Sequence, residues 1–194
     1  MINKMASFIT HYFIKKEIIT RNEYDIYLYG FELLISTIIN GMSIIMISLF
    51  MGCFFGGILF MIAFIPLRIT TGGYHAKNHF LCFLTINITF GILLLCIRLV
   101  SIDNAIPVSL FIVLFSSLSI WGFAPVGNKN KPLSYTQVNY LKTKSLYFAT
   151  INMLLLIFLF IFPNALFLLL IYYYSGVFAA SASLIVAYIK NKLH

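Results

Sequence analysis

The segment RITTGGYHAKNHFLC, residues 68–82, combines a cysteine with imidazole and cationic side chains, a set suited to nucleophilic chemistry. The reactive form of cysteine is its thiolate, and a neighbouring imidazole or cation favours that form. His75, His79 and Arg68 all lie within fourteen residues of Cys82. This set predicts a nucleophilic cysteine, as in a cysteine peptidase or an acyl-transfer enzyme.

Spacing along the chain does not choose between the two histidines. In a continuous helix, His79 lies three residues from Cys82, on the same face and within reach. His75 lies seven residues away, about 10.5 Å along the helix axis, which is too far for direct contact. Gly72 and Gly73 weaken helix formation, however, so a loop there can fold His75 back over the start of the helix. Both histidines therefore stay open, and His79 is the simpler partner.

The composition predicts that this segment lies between membrane spans. The chain is 61% hydrophobic and 9% charged, with a mean hydropathy of +0.99, whereas soluble domains carry ~25% charged residues. Charges spread through the first 25 residues argue against a cleavable signal peptide. Because a spanning helix needs about 20 apolar residues, we predict an all-α, polytopic integral membrane protein with six transmembrane helices. The predicted spans are residues 26–51, 53–67, 79–97, 106–126, 145–162 and 165–188.

The N-terminal segment has a different pattern. Residues 2–19 carry apolar side chains three and four positions apart, which is typical of an amphipathic helix lying in the membrane interface. We expect a single membrane domain with three parts. They are a cytoplasmic interfacial helix within residues 1–25, a six-helix bundle in residues 26–188 and a cytoplasmic tail in residues 189–194.

Lysine and arginine are distributed unevenly over the connections. Loops rich in these residues stay cytoplasmic, and with the N-terminus inside, only Arg98 among the thirteen falls on the outer side. Both termini and residues 68–82 are therefore predicted to face the cytoplasm from the cell membrane. The net charge of +8, concentrated on that side, would attract anionic membrane lipids.

The remaining cysteines lack a reactive setting. Cys53 and Cys96 lie at the outer ends of their spans with no histidine close in sequence, so we interpret both as packing residues. One cysteine and two histidines without a fourth ligand at customary spacing do not predict a metal site. We expect no cofactor and no nucleic-acid partner.

Several short motifs occur in an order that matches a known family. They are Arg68, the string GGYHA at residues 72–76, Cys82, the string KPL at residues 131–133 after a fourth span, and YGFE at residues 29–32. In these motifs the chain resembles the accessory gene regulator B (AgrB) family, over nearly its whole length. Members of that family are membrane cysteine endopeptidases that process the propeptide of a Gram-positive quorum-sensing signal.

The resemblance implies catalytic roles for two residues. Cys82 would be the nucleophile and His75 its base, because His79 has no place in the family pattern. The thiolate would attack a carbonyl near the C-terminal end of the propeptide, release the tail and form an acyl-thioester. An internal cysteine of the substrate would then close a thiolactone ring.

Supporting roles are also implied. Arg68 and Gly73 match family positions associated with activity, and Lys129 and Lys131 match a basic loop that handles the propeptide. Glu32 matches a family carboxylate that could orient the histidine base or pair with Arg68. The implied partner is a small amphipathic propeptide with an acidic tail, and a homodimer is compatible with the family.

Two other functions are compatible with a small membrane protein. A peptide exporter would line a path through the membrane with polar residues, for which Asn40, Asn87 and Thr89 are the few mid-span candidates. A non-catalytic membrane partner of a sensor system would be insensitive to Cys82→Ser.

Overall fold

The computed structural model describes residues 1–73, 78–127, 133–161 and 166–193. Within them, nearly all residues belong to seven α-helices and one 3-10 turn, and Gly72 and Val126 form an isolated bridge. The helices are α1 (Ile2–Lys15), α2 (Tyr24–Phe50), α3 (Phe54–Thr71), α4 (His79–Arg98), α5 (Ile102–Phe123), α6 (Tyr135–Ile161) and α7 (Leu166–Leu193), with the 3-10 turn at Arg21–Glu23.

Six of these helices, α2 to α7, are long and apolar enough to cross a membrane. Their outer surfaces expose large apolar side chains such as Phe55, Phe111 and Trp121, as a lipid-facing surface requires. The all-α fold with six spans preceded by an N-terminal helix is therefore confirmed. The chain has the architecture of a multi-pass membrane protein.

Helix α1 packs along the beginning of α2. Its Ala6 and Thr10 are fully buried, and the Thr10 hydroxyl donates to the Ala6 carbonyl, which satisfies this buried polar group. Met5, Phe8 and Tyr12 are exposed on its other side, which gives the predicted amphipathic helix two distinct faces. The helix ends at Lys15, four residues before the predicted end, where Glu17 turns to a positive φ of 59°.

Helices α3 and α7 form the centre of the bundle through small residues. A β-carbon on Gly176 of α7 would overlap the Phe60 carbonyl of α3 and lie 3.0 Å from the Ala63 side chain. Because lipid gives apolar helices little reason to associate, close backbone approach at small residues is a main source of packing energy in membranes. The two helices thereby hold Phe60 and Leu67 almost fully buried.

Helix α4 is placed by contacts with both α2 and α3. The Ser43 hydroxyl of α2 donates to the Asn87 side chain at 2.7 Å, a polar contact between spans. Phe90 is buried, with its ring 4.8 Å from that of Phe60. These contacts fix the face that α4 presents to α3.

Two helix boundaries differ from the prediction and change the setting of charged residues. Helix α3 continues to Thr71, so Arg68 lies inside the helix, because the hydroxyls of Thr70 and Thr71 bond back to carbonyls of the preceding turn. Helix α6 begins at Tyr135, ten residues before the predicted start, after a turn in which Ser134 and Gln137 exchange hydrogen bonds. The first turns of α6 are polar, so the hydropathy of the sequence did not indicate that the helix starts there.

Candidate active site

The glycine pair ends α3 in a bend that only glycine tolerates easily. Gly72 has φ of 74° and Gly73 has φ of 150°, both in the region that favours glycine. A β-carbon on Gly72 would overlap the backbone carbonyl of Val126. The predicted break in the helix is therefore present at the glycine pair, and the backbone of another segment of the chain lies directly against it.

That neighbouring backbone belongs to the connection between α5 and α6. The Val126 amide donates to the Thr71 carbonyl at 2.9 Å, and Gly72 and Val126 form a parallel bridge. One residue later, the Gly127 carbonyl accepts a hydrogen bond of 2.9 Å from the Asn191 side chain of α7. The glycine pair after α3 and the connection between α5 and α6, which are far apart in sequence, are therefore in direct contact.

Three residues predicted to act at the site lie outside the described residues. His75, the predicted base, falls between Gly73 and Asn78, and Lys129 and Lys131 follow Gly127. His79 is the first residue of α4. In sequence, the glycine pair is followed at once by the segment that contains His75. The connection that begins after α5 continues past Gly127 into the segment that contains Lys129 and Lys131.

Cys82 lies in the first turn of α4. The Asn78 side chain caps this helix by accepting a hydrogen bond from the Leu81 amide at 2.8 Å, and the Cys82 amide donates to the Asn78 carbonyl. The cysteine is half-buried and carries a free thiol. A helix N-terminus carries partial positive charge, so this position stabilises negative charge on the sulfur.

A cleft opens beside Cys82 between α3, α4 and α7. It is small, with a volume of about 50 Å³, and it is partly open to the outside. Arg68 and Ser183 line it together with Cys82, so a positive charge lies in the same cleft as the sulfur. The other lining residues are mainly apolar and comprise Phe60, Phe64, Thr85, Ile86, Thr89 and Ala179.

The guanidinium of Arg68 lies against two groups. Its Nη1 donates a hydrogen bond to the Ser183 hydroxyl of α7. The backbone of Gly73 is next to both, because a β-carbon on Gly73 would overlap Nη1 and lie 2.9 Å from the Ser183 oxygen. The structure thus brings Arg68, Gly73 and Cys82, three of the predicted site residues, into one place.

Glu32 is positioned by a different contact. It lies on α2, and its Oε1 accepts a hydrogen bond of 2.6 Å from the Asn3 side chain of α1. This contact ties α1 to α2. The predicted role of Glu32 in orienting His75 concerns a residue outside the described part and stays a prediction.

Cys53 and Cys96 lie away from the cleft. Cys53 precedes the first residue of α3, and Cys96 lies fourteen residues after Cys82 in the same unbroken helix, about 21 Å along its axis. Near them, the Arg98 side chain donates to the Met51 carbonyl at 2.6 Å. This places both thiols at the end of the bundle opposite to Cys82.

Sequence reasoning missed Ser183 and the apolar wall of the cleft. Ser183 lies 115 residues from Arg68, and an isolated serine in a span carries no motif. A usable signal was the series of small residues at Gly176, Ala179 and Ser183, spaced three and four apart. That spacing indicates a helix face that another helix approaches closely.

Comparison with known proteins gives one match. No curated protein and no solved structure matches the chain significantly. The sequence model of the family described as accessory gene regulator B matches residues 3–188, which cover nearly all of α1, the cleft, the first five candidate spans and most of the sixth. The chain therefore belongs to the accessory gene regulator B (AgrB) family, and this membership is consistent with a role in the processing of a quorum-sensing peptide.

Proposed function

We propose that this chain is a membrane cysteine endopeptidase that removes the C-terminal tail of a quorum-sensing propeptide through an acyl-thioester on Cys82. The observation that carries the proposal is the shared cleft of the Cys82 thiol and the Arg68 guanidinium at the start of α4. The active site would face the cytoplasm, with both termini on the same side. The family match supports the substrate class.

The setting of the sulfur suits a nucleophile. An arginine side chain keeps its positive charge at all physiological pH values, and the first turn of α4 adds the positive end of the helix dipole. Around these charges the cleft is mainly apolar, with Phe64 and Ile86 in its wall. Low surrounding polarity disfavours a charged sulfur by itself, and it also strengthens the attraction between the guanidinium and the thiolate, which offsets part of that cost.

In the first chemical step, His75 would take the proton of the Cys82 thiol, and the resulting thiolate would attack the carbonyl carbon of the scissile amide. The carbonyl oxygen becomes an oxyanion, which Arg68 stabilises through its positive charge. As the intermediate collapses, the C–N bond breaks and the leaving amine takes a proton, for which we propose His75 as the donor. The products are the free tail and an acyl-thioester on Cys82.

The second step would return the enzyme to its starting state. A thiol or hydroxyl of the bound propeptide attacks the thioester carbonyl, the C–S bond to Cys82 breaks, and a thiolactone or lactone ring leaves. Exchange of one thioester for another needs no external energy source, whereas formation of the first thioester from an amide is uphill. Exclusion of water by the apolar cleft walls and loss of the tail would favour the forward direction.

Substrate binding would use charges near the bend. We propose that Lys129 and Lys131 bind the acidic tail, because the loop that carries them is hydrogen-bonded to Thr71 through Val126. The amphipathic leader of the propeptide would lie in the membrane interface, where the net charge of +8 also favours anionic lipids. Both attractions should weaken as salt is added.

Mass spectrometry of the chain after co-expression with its propeptide tests the proposal. We expect an acyl adduct on Cys82, whose mass equals that of the propeptide without its tail and less one water. Cys82→Ser should abolish tail release, and Cys96→Ser is the matched control because its sulfur lies at the other end of α4. Normal tail release by Cys82→Ser would show instead that the chain is an exporter or a non-catalytic partner.

A further inference from the structure

We propose that Ser183 of α7 is a positioning residue of the reaction, which holds the Arg68 guanidinium beside Cys82 through a hydrogen bond. Ser183 would touch neither the scissile amide nor the sulfur, and would act only through Arg68. The inference rests on the proposed function and extends it to a helix that carries neither the nucleophile nor the proposed base.

A long side chain does not hold its charge in one place by itself. Arginine has many rotamers, and its guanidinium must be bound by fixed partners before it can act as a preorganised charge. Here Arg68 extends from α3, and its Nη1 donates to the Ser183 hydroxyl of α7, which also lines the cleft. The hydrogen bond therefore joins two of the helices that line the cleft with Cys82.

The Arg68 guanidinium also lies against the backbone of Gly73. A side chain there would overlap the Arg68 Nη1 and crowd the Ser183 oxygen at 2.9 Å. The guanidinium consequently contacts the Ser183 hydroxyl and lies against the bare backbone of Gly73. Loss of the hydroxyl would leave Gly73 in place and remove this hydrogen bond to Arg68.

Ser183 lies on a part of α7 that packs closely on α3. It lies seven residues after Gly176, about two helical turns along the same side of α7, and Gly176 packs directly on the backbone of α3 at Phe60. Ala179 lies between them and lines the cleft as well. The hydroxyl is thus presented from the most closely packed helix pair in the bundle centre, as preorganisation requires.

The test uses full-length protein in lipid nanodiscs, with Cys53→Ser and Cys96→Ser in the background so that Cys82 is the only thiol. Two rates are measured: release of the propeptide tail, and alkylation of Cys82 by iodoacetamide, which reports thiolate reactivity without a substrate. We expect Ser183→Ala to slow tail release about tenfold, the size of effect that loss of one hydrogen bond to a charged group produces. Alkylation should slow in parallel, and Ser183→Thr should restore both rates.

Ser181→Ala is the matched control. Its hydroxyl is equally deleted from α7, but in the native protein it donates to the Val177 carbonyl of its own helix at 3.0 Å. Both of its rates should equal those of the background protein. Equal losses in Ser181→Ala and Ser183→Ala would show general damage to α7 and overturn the inference.

A double-mutant cycle isolates the route of action. If Ser183 acts only through Arg68, then adding Ser183→Ala to Arg68→Gln leaves the alkylation rate where Arg68→Gln alone sets it. Additive losses, unchanged rates in Ser183→Ala, or a Ser183→Thr variant as slow as Ser183→Ala would each overturn the inference. Failure of the proposed function is distinguishable, because it appears as tail release by Cys82→Ser.

Discussion

Gly73 lies so close to the Arg68 guanidinium that a single β-carbon at this position would occupy the place of Nη1. We predict that Gly73→Ala lowers the rate of tail release at least about tenfold, because the guanidinium must move away from Cys82 and a preorganised charge is lost. Gly91→Ala is the control, since a β-carbon at Gly91 of α4 meets nothing within 4 Å. Unchanged cleavage by Gly73→Ala would mean that the position of Arg68 is not needed.

Gly72 should be sensitive for a different reason. A side chain here would overlap the backbone of Val126, which cannot rotate away, and would break the bridge to the loop before α6. We expect Gly72→Ala to lower stability by about 1–3 kcal/mol through backbone strain, together with reduced cleavage. Thermal unfolding in detergent measures this, with Gly122→Ala, which has open space around it, as the comparison.

Asn78 is predicted to support the nucleophile through the helix cap. Asn78→Ala removes the acceptor of the Leu81 amide, which should cost about 1 kcal/mol and loosen the turn that contains Cys82. Asn78→Ser retains a capping oxygen and should recover most of the cleavage rate. An Asn78→Ala variant with wild-type cleavage and stability would contradict the role of the cap.

The two histidines are separated by a direct comparison. We predict that His75→Ala abolishes tail release, because the proposed base and proton donor is removed, whereas His79→Ala leaves release largely intact. Both are measured with the co-expressed propeptide after membrane insertion has been checked by fractionation. The reverse pattern would assign the base to His79.

Charge reversal of the loop tests substrate binding. Lys129→Glu combined with Lys131→Glu should raise the propeptide concentration needed for half-maximal cleavage, while the maximal rate changes less, because acidic tails are repelled before the chemical step. The control reverses Lys142 and Lys144, which lie within α6 and carry the same charges. Equal effects of the two double variants would point to overall charge in place of a loop site.

Hydropathy was sufficient to predict the number of spans, because a run of bilayer length is a local property of the sequence. Helix ends were less accessible: α3 continues past Arg68 to Thr71, and α6 starts at Tyr135, because hydrogen bonds of serine, threonine and glutamine side chains decide these ends. A polar residue at a span end therefore does not by itself mark the end of the helix.

The site could be predicted from sequence only where its parts are close in the chain. The glycine pair indicated the bend before Cys82, and both φ values agree with it. The contact of Arg68 with Ser183 joins residues 115 apart, and its existence depends on how α3 packs on α7. Tertiary contacts of this kind leave no local pattern, except for the small residues that allow the helices to approach.

The hydrogen bond from Asn191 to the Gly127 carbonyl has a practical consequence for anyone who truncates or labels this protein. The last turn of α7 contacts the connection between α5 and α6, so its removal would delete this hydrogen bond. Purification handles and fluorescent reporters are better separated from it by a flexible spacer, and shortened variants that stop before residue 191 should be compared with full-length protein before any loss of activity is attributed to Cys82.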